Sequence, residues 1–122
     1  MLPPSLQKLY NTPVLRSEMP AGFHHAKVLR LAPDRRYHTL GAVRIDFTNA
    51  RGSESASYAL FKDVARASAF ARTERAVNTG GLFRVRVATV GRFVVGVTAK
   101  TGGEATTLLG LAIEHLQRSE RS

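Results

Sequence analysis

Two segments of this sequence begin with glycine and then alternate apolar with charged side chains. The first is Gly41–Phe47, and the second, Gly81–Val87, follows forty positions later. Such alternation is typical of β-strands that bury one face against a core and expose the other to water. Because an alternating strand pattern does not fit a helix, this repeated pattern constrains the fold more than any other feature.

A second predicted strand and then a predicted helix follow each alternating segment. The second strands are Ser57–Phe61 and Arg92–Thr98. The helices begin at a cap on Asp63 and at a capping-box sequence, Thr101–Glu104. The pattern therefore predicts two successive ββα units, over residues 41–77 and 81–118. Duplication of one unit and coincidence of a common pattern both explain this similarity.

We expect each pair of strands to form a hairpin whose apolar side chains share one face. A four-residue turn would close the first hairpin and a three-residue loop the second. The expected pairs are Phe47 with Tyr58 and Ile45 with Leu60, then Val87 with Phe93, Val85 with Val95 and Phe83 with Val97. The sheet would then have one apolar face, with Val85 in the core, and one polar face.

These elements predict an α+β fold, in which an antiparallel sheet of four to five strands carries two helices on one face. The further strand is an edge strand within residues 23–31. Residues 1–22 hold four of the five prolines and predict an arm that lies over a single α+β domain, residues 23–122. The chain has no cysteine, so packing alone must hold this domain together.

The charge balance is strongly basic, with 18 Lys and Arg against 9 Asp and Glu, a net charge of +9. A charge of this size favours anionic partners such as nucleic acid or another polyanion. An arginine-rich surface can also result from the codon bias of a GC-rich genome, independently of function. No segment approaches the roughly 20 apolar residues of a transmembrane helix, so none is predicted. Cytoplasmic and exported locations both fit this composition.

The side chains that could carry catalysis or bind a metal are poorly arranged for either. No serine lies in a G-x-S-x-G motif, and Asp46 stands beside Arg44, which predicts a surface ion pair. The four histidines, which lack the spacing of metal ligands, are His24, His25, His38 and His115. We therefore expect no catalytic residue, no metal and no cofactor.

Binding through the polar face of the sheet is the remaining hypothesis. The candidate anion-binding residues are Arg44, Arg84, Arg86 and Arg92, and the candidate interface residues are Leu82, Val94, Leu111 and Ile113. The first interpretation is a small non-catalytic interaction module that forms a homo-oligomer through the open sheet face or the second helix. One alternative is a weak nucleic-acid or polyanion binder that uses the arginines. Another is a small ligand-binding domain or enzyme with a pocket between sheet and helices.

Overall fold

Five strands form one antiparallel sheet in the computed structural model, which describes residues 2–77 and 82–121. The strands are β1 (His25–Leu31), β2 (Thr39–Asn49), β3 (Gly52–Phe61), β4 (Arg84–Val90) and β5 (Phe93–Ala99), in the order β1-β2-β3-β5-β4. Within the described ranges the helices are α1 (Pro4–Asn11), α2 (Val64–Val77) and α3 (Gly102–Arg121), with a short 3-10 turn at Arg16–Glu18. The predicted α+β class and antiparallel sheet are confirmed. Gly81, where a predicted strand began, lies outside the described residues.

The main core lies between one face of the sheet and the helices α1 and α3. Alternate residues of β2, β3 and β5 point into it, as the period of two in a strand requires. The fully buried side chains include Val43, Ile45, Tyr58, Leu60, Val95, Val97, Leu108 and Leu116. The Tyr58 hydroxyl donates a hydrogen bond of 3.0 Å to the Ala112 carbonyl of α3, so this buried polar group is satisfied.

Helix α2 packs on the opposite face of the sheet, so the prediction that two helices share one face is not confirmed. Its buried residues Ala67 and Ala71 contact Phe61 and Val94 in a second, smaller core cluster. Val94 lies between Phe93 and Val95 in β5, whose side chains point the other way into the main core. Since α2 and α3 lie on opposite faces, two equivalent ββα units are not confirmed either.

The first hairpin turns earlier than predicted, but its apolar residues keep the predicted face. Ala50 and Arg51 form a two-residue turn, and Phe47 pairs with Glu54 instead of Tyr58. The pairing is displaced by four residues from the predicted one. Because side chains alternate with a period of two, an even displacement leaves every side chain on its predicted face.

The second hairpin also closes with a two-residue turn. Here the shorter turn places each β4 side chain on the face opposite to the predicted one. Val87 pairs with Gly96 instead of Phe93, a displacement of three residues. Gly91 has φ +58° at the first position of the turn, which matches the tight turns that suit the strand twist. An odd displacement moves each β4 side chain to the other face. Val85 therefore lies half-buried on the α2 side, and its predicted core position is wrong.

Both predicted helix caps are present. The Arg66 amide donates to the Asp63 carboxylate at 2.8 Å at the start of α2. The Glu104 amide donates to the Thr101 hydroxyl at 3.1 Å at the start of α3. Each side-chain oxygen satisfies one of the free amides of the first helical turn, which fixes where these helices begin.

The N-terminal segment, predicted as an arm, contributes a helix to the main core. Leu6 and Leu9 of α1 are fully buried, because residues three apart lie on the same face of a helix. Glu18 then anchors the segment to α3, since its carboxylate lies 2.8 Å from His115 Nδ1 and 2.6 Å from Arg118 Nε. We call Glu18, His115 and Arg118 the buried clasp.

Candidate functional site

Helix α2 covers only part of its face of the sheet. Its contacts are with β3, β4 and β5, and the face of β1 and β2 on this side carries no described helix. The opposite face is covered by α1 and α3. The α2 side is therefore where the described part of the chain leaves a sheet face open.

Two adjoining cavities form a groove along this open face. One, of about 330 Å³, lies between the sheet and α2, and the other, of about 390 Å³, lies toward the β2–β3 turn. Both are lined by Arg44, Ser55 and Thr98, so they are continuous. We call this surface the α2-side groove. Each volume falls within the range of small-molecule sites and is also wide enough to receive side chains of a protein partner.

Small and hydroxyl-bearing side chains form the floor of the α2-side groove. Ser55 pairs across the sheet with Thr98, and the Ser57 hydroxyl donates to the Gly96 carbonyl at 3.4 Å. Ala42 and Ala59 complete this floor. Side chains this short allow another layer of structure to approach the sheet closely.

The charged pair in the α2-side groove is internally neutralised. Arg44 and Asp46, two residues apart on β2, point to the same face, and Arg44 Nε lies 3.0 Å from Asp46 Oδ1. A second contact joins Arg44 Nη2 to Asp46 Oδ2 at 3.2 Å. The predicted ion pair is thus confirmed. Because these two charges cancel locally and Glu74 of α2 also lines the cavity, the groove does not share the strong positive charge of the whole protein.

Apolar side chains surround the open groove and remain accessible. Leu31 is 38% exposed and Phe83 is 46% exposed, and both line the cavities. Tyr37, also exposed, packs edge-on against Phe70 of α2 with ring centroids 5.6 Å apart. Exposed apolar side chains grouped around a floor of short side chains indicate a contact surface for another protein.

A buried carboxyl group lies behind the turn end of the groove, on the α3 side of the sheet. Glu54, 3% exposed, borders the 390 Å³ cavity, but it pairs with Phe47 of the main core and so directs its side chain toward α3. Burial, followed by the nearby carboxyl of Glu104, raises the pKa of Glu54, because both disfavour its ionised form. A negative charge on Glu54 is therefore disfavoured, and because this carboxyl faces α3 it adds no charge to the groove.

The structure does not bring the four candidate anion-binding arginines together. Arg44 faces the α2-side groove, whereas Arg84 and Arg86 pair with Ala99 and Val97 and so point to the α3 side. Arg92 lies in the β4–β5 turn, with its guanidinium 3.5 Å from the Lys62 carbonyl. The displaced register of the second hairpin is the physical reason for this separation. Anion binding by any of these residues stays a prediction.

The four candidate interface residues are also dispersed. Leu82, just before β4, is 92% exposed, whereas Val94 is 3% exposed beneath α2. Leu111 and Ile113 are half-buried on α3, and Ile113 packs against the main core. Only Leu82 among them offers a wholly exposed apolar side chain.

Sequence reasoning predicted an open, polar sheet face but not the groove on it, although a signal was present. Ser53, Ser55 and Ser57 alternate along β3, which indicates a strand face without bulky side chains. Phe83 had been placed on the core face, and the displaced register moves it to the groove. The buried clasp carried no local signal, since Glu18 and His115 lie far apart in sequence.

No cluster of three or more His, Asp or Glu side chains suited to a metal occurs within residues 2–77 and 82–121. No described helix is both long enough and apolar enough to cross a membrane. No family model, curated protein or solved structure matches this chain. Its function must therefore be argued from the groove and the surfaces around it.

Proposed function

We propose that this protein is a non-catalytic interaction module that pairs with a second copy of itself across the α2-side groove. The observation that carries the proposal is the half-covered sheet face. Two strands lie about 5 Å apart and present a strip roughly 10 Å wide, which matches the diameter of one helix. The open strip over β1 and β2 is thus the right width to receive helix α2 of a partner copy.

The outer surface of α2 supports this pairing. Ala65, Ala69 and Ala76 are exposed on it on either side of Arg72, and Val64 is 55% exposed at its start. A helix with small apolar side chains on its solvent side allows another backbone to approach closely. A two-fold axis parallel to the sheet, at the level of the α2 layer, would turn the two groove faces toward each other and place each copy's α2 over the other copy's β1 and β2. Both unpartnered surfaces would then be buried by one symmetric contact.

Charge makes the proposal testable through salt. Two molecules of net charge +9 repel each other at long range, whereas the groove holds a neutralised pair and apolar side chains. Salt screens the long-range repulsion more than it weakens the apolar contact. Self-association should therefore strengthen as salt rises. Binding to a polyanion, which the alternative predicts, should weaken as salt rises because counterions are released.

The experiment is analytical ultracentrifugation at high micromolar concentration and at two salt concentrations. We expect a species of twice the 13.3 kDa chain mass, favoured by the higher salt. Ala69→Arg places a long charged side chain on the exposed surface of α2 and should weaken the dimer at least tenfold, about 1.4 kcal/mol. Gln117→Arg, which adds the same charge at an exposed position of α3, should not. A monomeric parent, or equal effects of the two variants, would refute the proposal.

A further inference from the structure

The two edge strands of the sheet differ in whether side chains hydrogen-bond to their outward backbone groups. β4 and β1 are the edge strands, and alternate residues of an edge strand direct their backbone N–H and C=O groups away from the sheet. In β4 two of these outward carbonyls accept hydrogen bonds from arginines. Arg75 Nη2 donates to Val87 O at 3.0 Å, and Arg86 Nη1 donates to Val85 O at 3.0 Å. These guanidinium groups occupy acceptors that another strand would need, so β4 is protected.

The same alternation identifies the outward groups of β1. The two-residue turn makes Asn49 and Gly52 a hydrogen-bonded pair, so the odd-numbered residues of β2 bond to β3 and the even-numbered ones to β1. The partners of those even residues in β1 are odd-numbered, for example Lys27 opposite Asp46. Ala26, Val28 and Arg30 therefore direct their backbone groups outward. Among the hydrogen bonds of the described residues, none joins a side chain to the backbone of β1.

The charges along β1 restrict what can add to it. The strand carries Lys27 and Arg30, together with His25, and has no acidic residue. Arg35 follows in the next loop, where Arg36 is paired with Asp34 at 3.3 Å. Lysine on an edge strand opposes pairing with a like-charged strand, and a second copy would bring the same cations beside these. An acidic strand would instead gain opposite-charge pairs in addition to the backbone hydrogen bonds.

We infer that the β1 edge is a strand-addition site for an extended acidic segment of a partner protein. The segment would hydrogen-bond to the outward groups of Ala26, Val28 and Arg30. Lys27 and Arg30 point to opposite faces of the sheet, so one carboxylate would lie beside Lys27 on the α2 side and another, three residues away, beside Arg30 on the α1 side. This site is lateral to the sheet and separate from the α2-side groove. The inference therefore stands whether or not the protein forms the dimer proposed above.

The test is fluorescence anisotropy with full-length protein and three labelled nine-residue peptides with blocked ends. The first has Glu at every third position and Val elsewhere, the second replaces each Glu with Lys, and the third is the Glu peptide N-methylated at every backbone amide. We expect the Glu peptide to bind and the other two to bind at least tenfold more weakly. Hydrogen exchange of the Ala26 and Val28 amides should slow when the Glu peptide is bound.

Two double variants with equal charge change complete the test. Lys27→Glu with Arg30→Glu should weaken the Glu peptide at least tenfold, because like charges then face each other. Arg72→Glu with Arg121→Glu, both at exposed helix positions, should have a much smaller effect. Equal binding of the N-methylated peptide would show attraction by charge alone and overturn the inference. Equal effects of the two double variants, or no binding of the Glu peptide, would overturn it too.

Discussion

The buried clasp should contribute measurably to stability, and its contribution should be lost in acid. Glu18 is 6% exposed and lies within hydrogen-bond distance of both Arg118 and His115. Burial alone would raise the pKa of Glu18, but hydrogen bonds from Arg118, the Leu15 amide and His115 outweigh it. Together they lower the pKa from 4.5 to about 2. At about 1.4 kcal/mol for each pKa unit, the ionised clasp contributes about 3 kcal/mol.

The sign of the pH dependence follows from the direction of this change. The folded-state pKa of Glu18 lies below the unfolded value, so the contribution is fully present above pH 4.5. It is lost as pH falls from 4.5 toward 2, because the unfolded state takes up the proton first. Glu18→Gln should therefore lower the free energy of unfolding by about 3 kcal/mol at pH 7. The variant should also be less acid-sensitive than the parent within that window.

Urea unfolding at several pH values measures both effects, and urea is preferred because guanidinium chloride would screen the charges. Glu120→Gln, which removes the same charge at an exposed position of α3, is the matched control and should stay within about 0.5 kcal/mol of the parent. The reasoning fails if the two variants are equally stable at pH 7. It fails also if Glu18→Gln loses as much stability as the parent between pH 4.5 and 2.

Two further predictions test the second hairpin by urea unfolding. Val95→Asp should cost several kcal/mol, because it buries a carboxylate in the main core. Val85→Asp, on the half-buried groove side, should cost much less, and equal losses would contradict the displaced register. Gly91→Ala should cost about 1 kcal/mol from its positive φ alone, since an added Cβ meets no atom within 4 Å. A neutral effect there would mean that the turn has another conformation.

The strands and helix caps were predictable because their signals are local. Alternation along β2 and β3 gives each strand and its buried face, and an error of four residues in pairing leaves those faces unchanged. The caps at Asp63 and Thr101 depend on side chains within three residues of the amides that they satisfy. Such features need no knowledge of the rest of the fold.

The β4 part of the open face was not predictable, because turn length decides which β4 side chains lie on it. Val85 and Val87 alternate with arginines, so β4 offers an apolar set and a charged set, and either could face the main core. The two-residue turn places the arginines on the α3 side and the valines on the α2 side. This reversal separated the predicted arginine cluster and moved Phe83 into the groove lining. The face on which α2 packs also depends on apolar residues that different strands bring together, such as Phe61 of β3 and Val94 of β5.

Both surfaces left open in the described residues lie on the β1–β2 half of the sheet. Arginines donate hydrogen bonds to outward carbonyls of β4, and α2 covers the face of the sheet near β4. Helices α1 and α3 cover the opposite face. The groove face offers short side chains and a neutral ion pair, which suits an apolar contact such as helix α2 of a second copy. The β1 edge offers backbone groups and cations, which suit an acidic strand. Since the first contact strengthens with salt and the second weakens, one salt titration distinguishes the two surfaces.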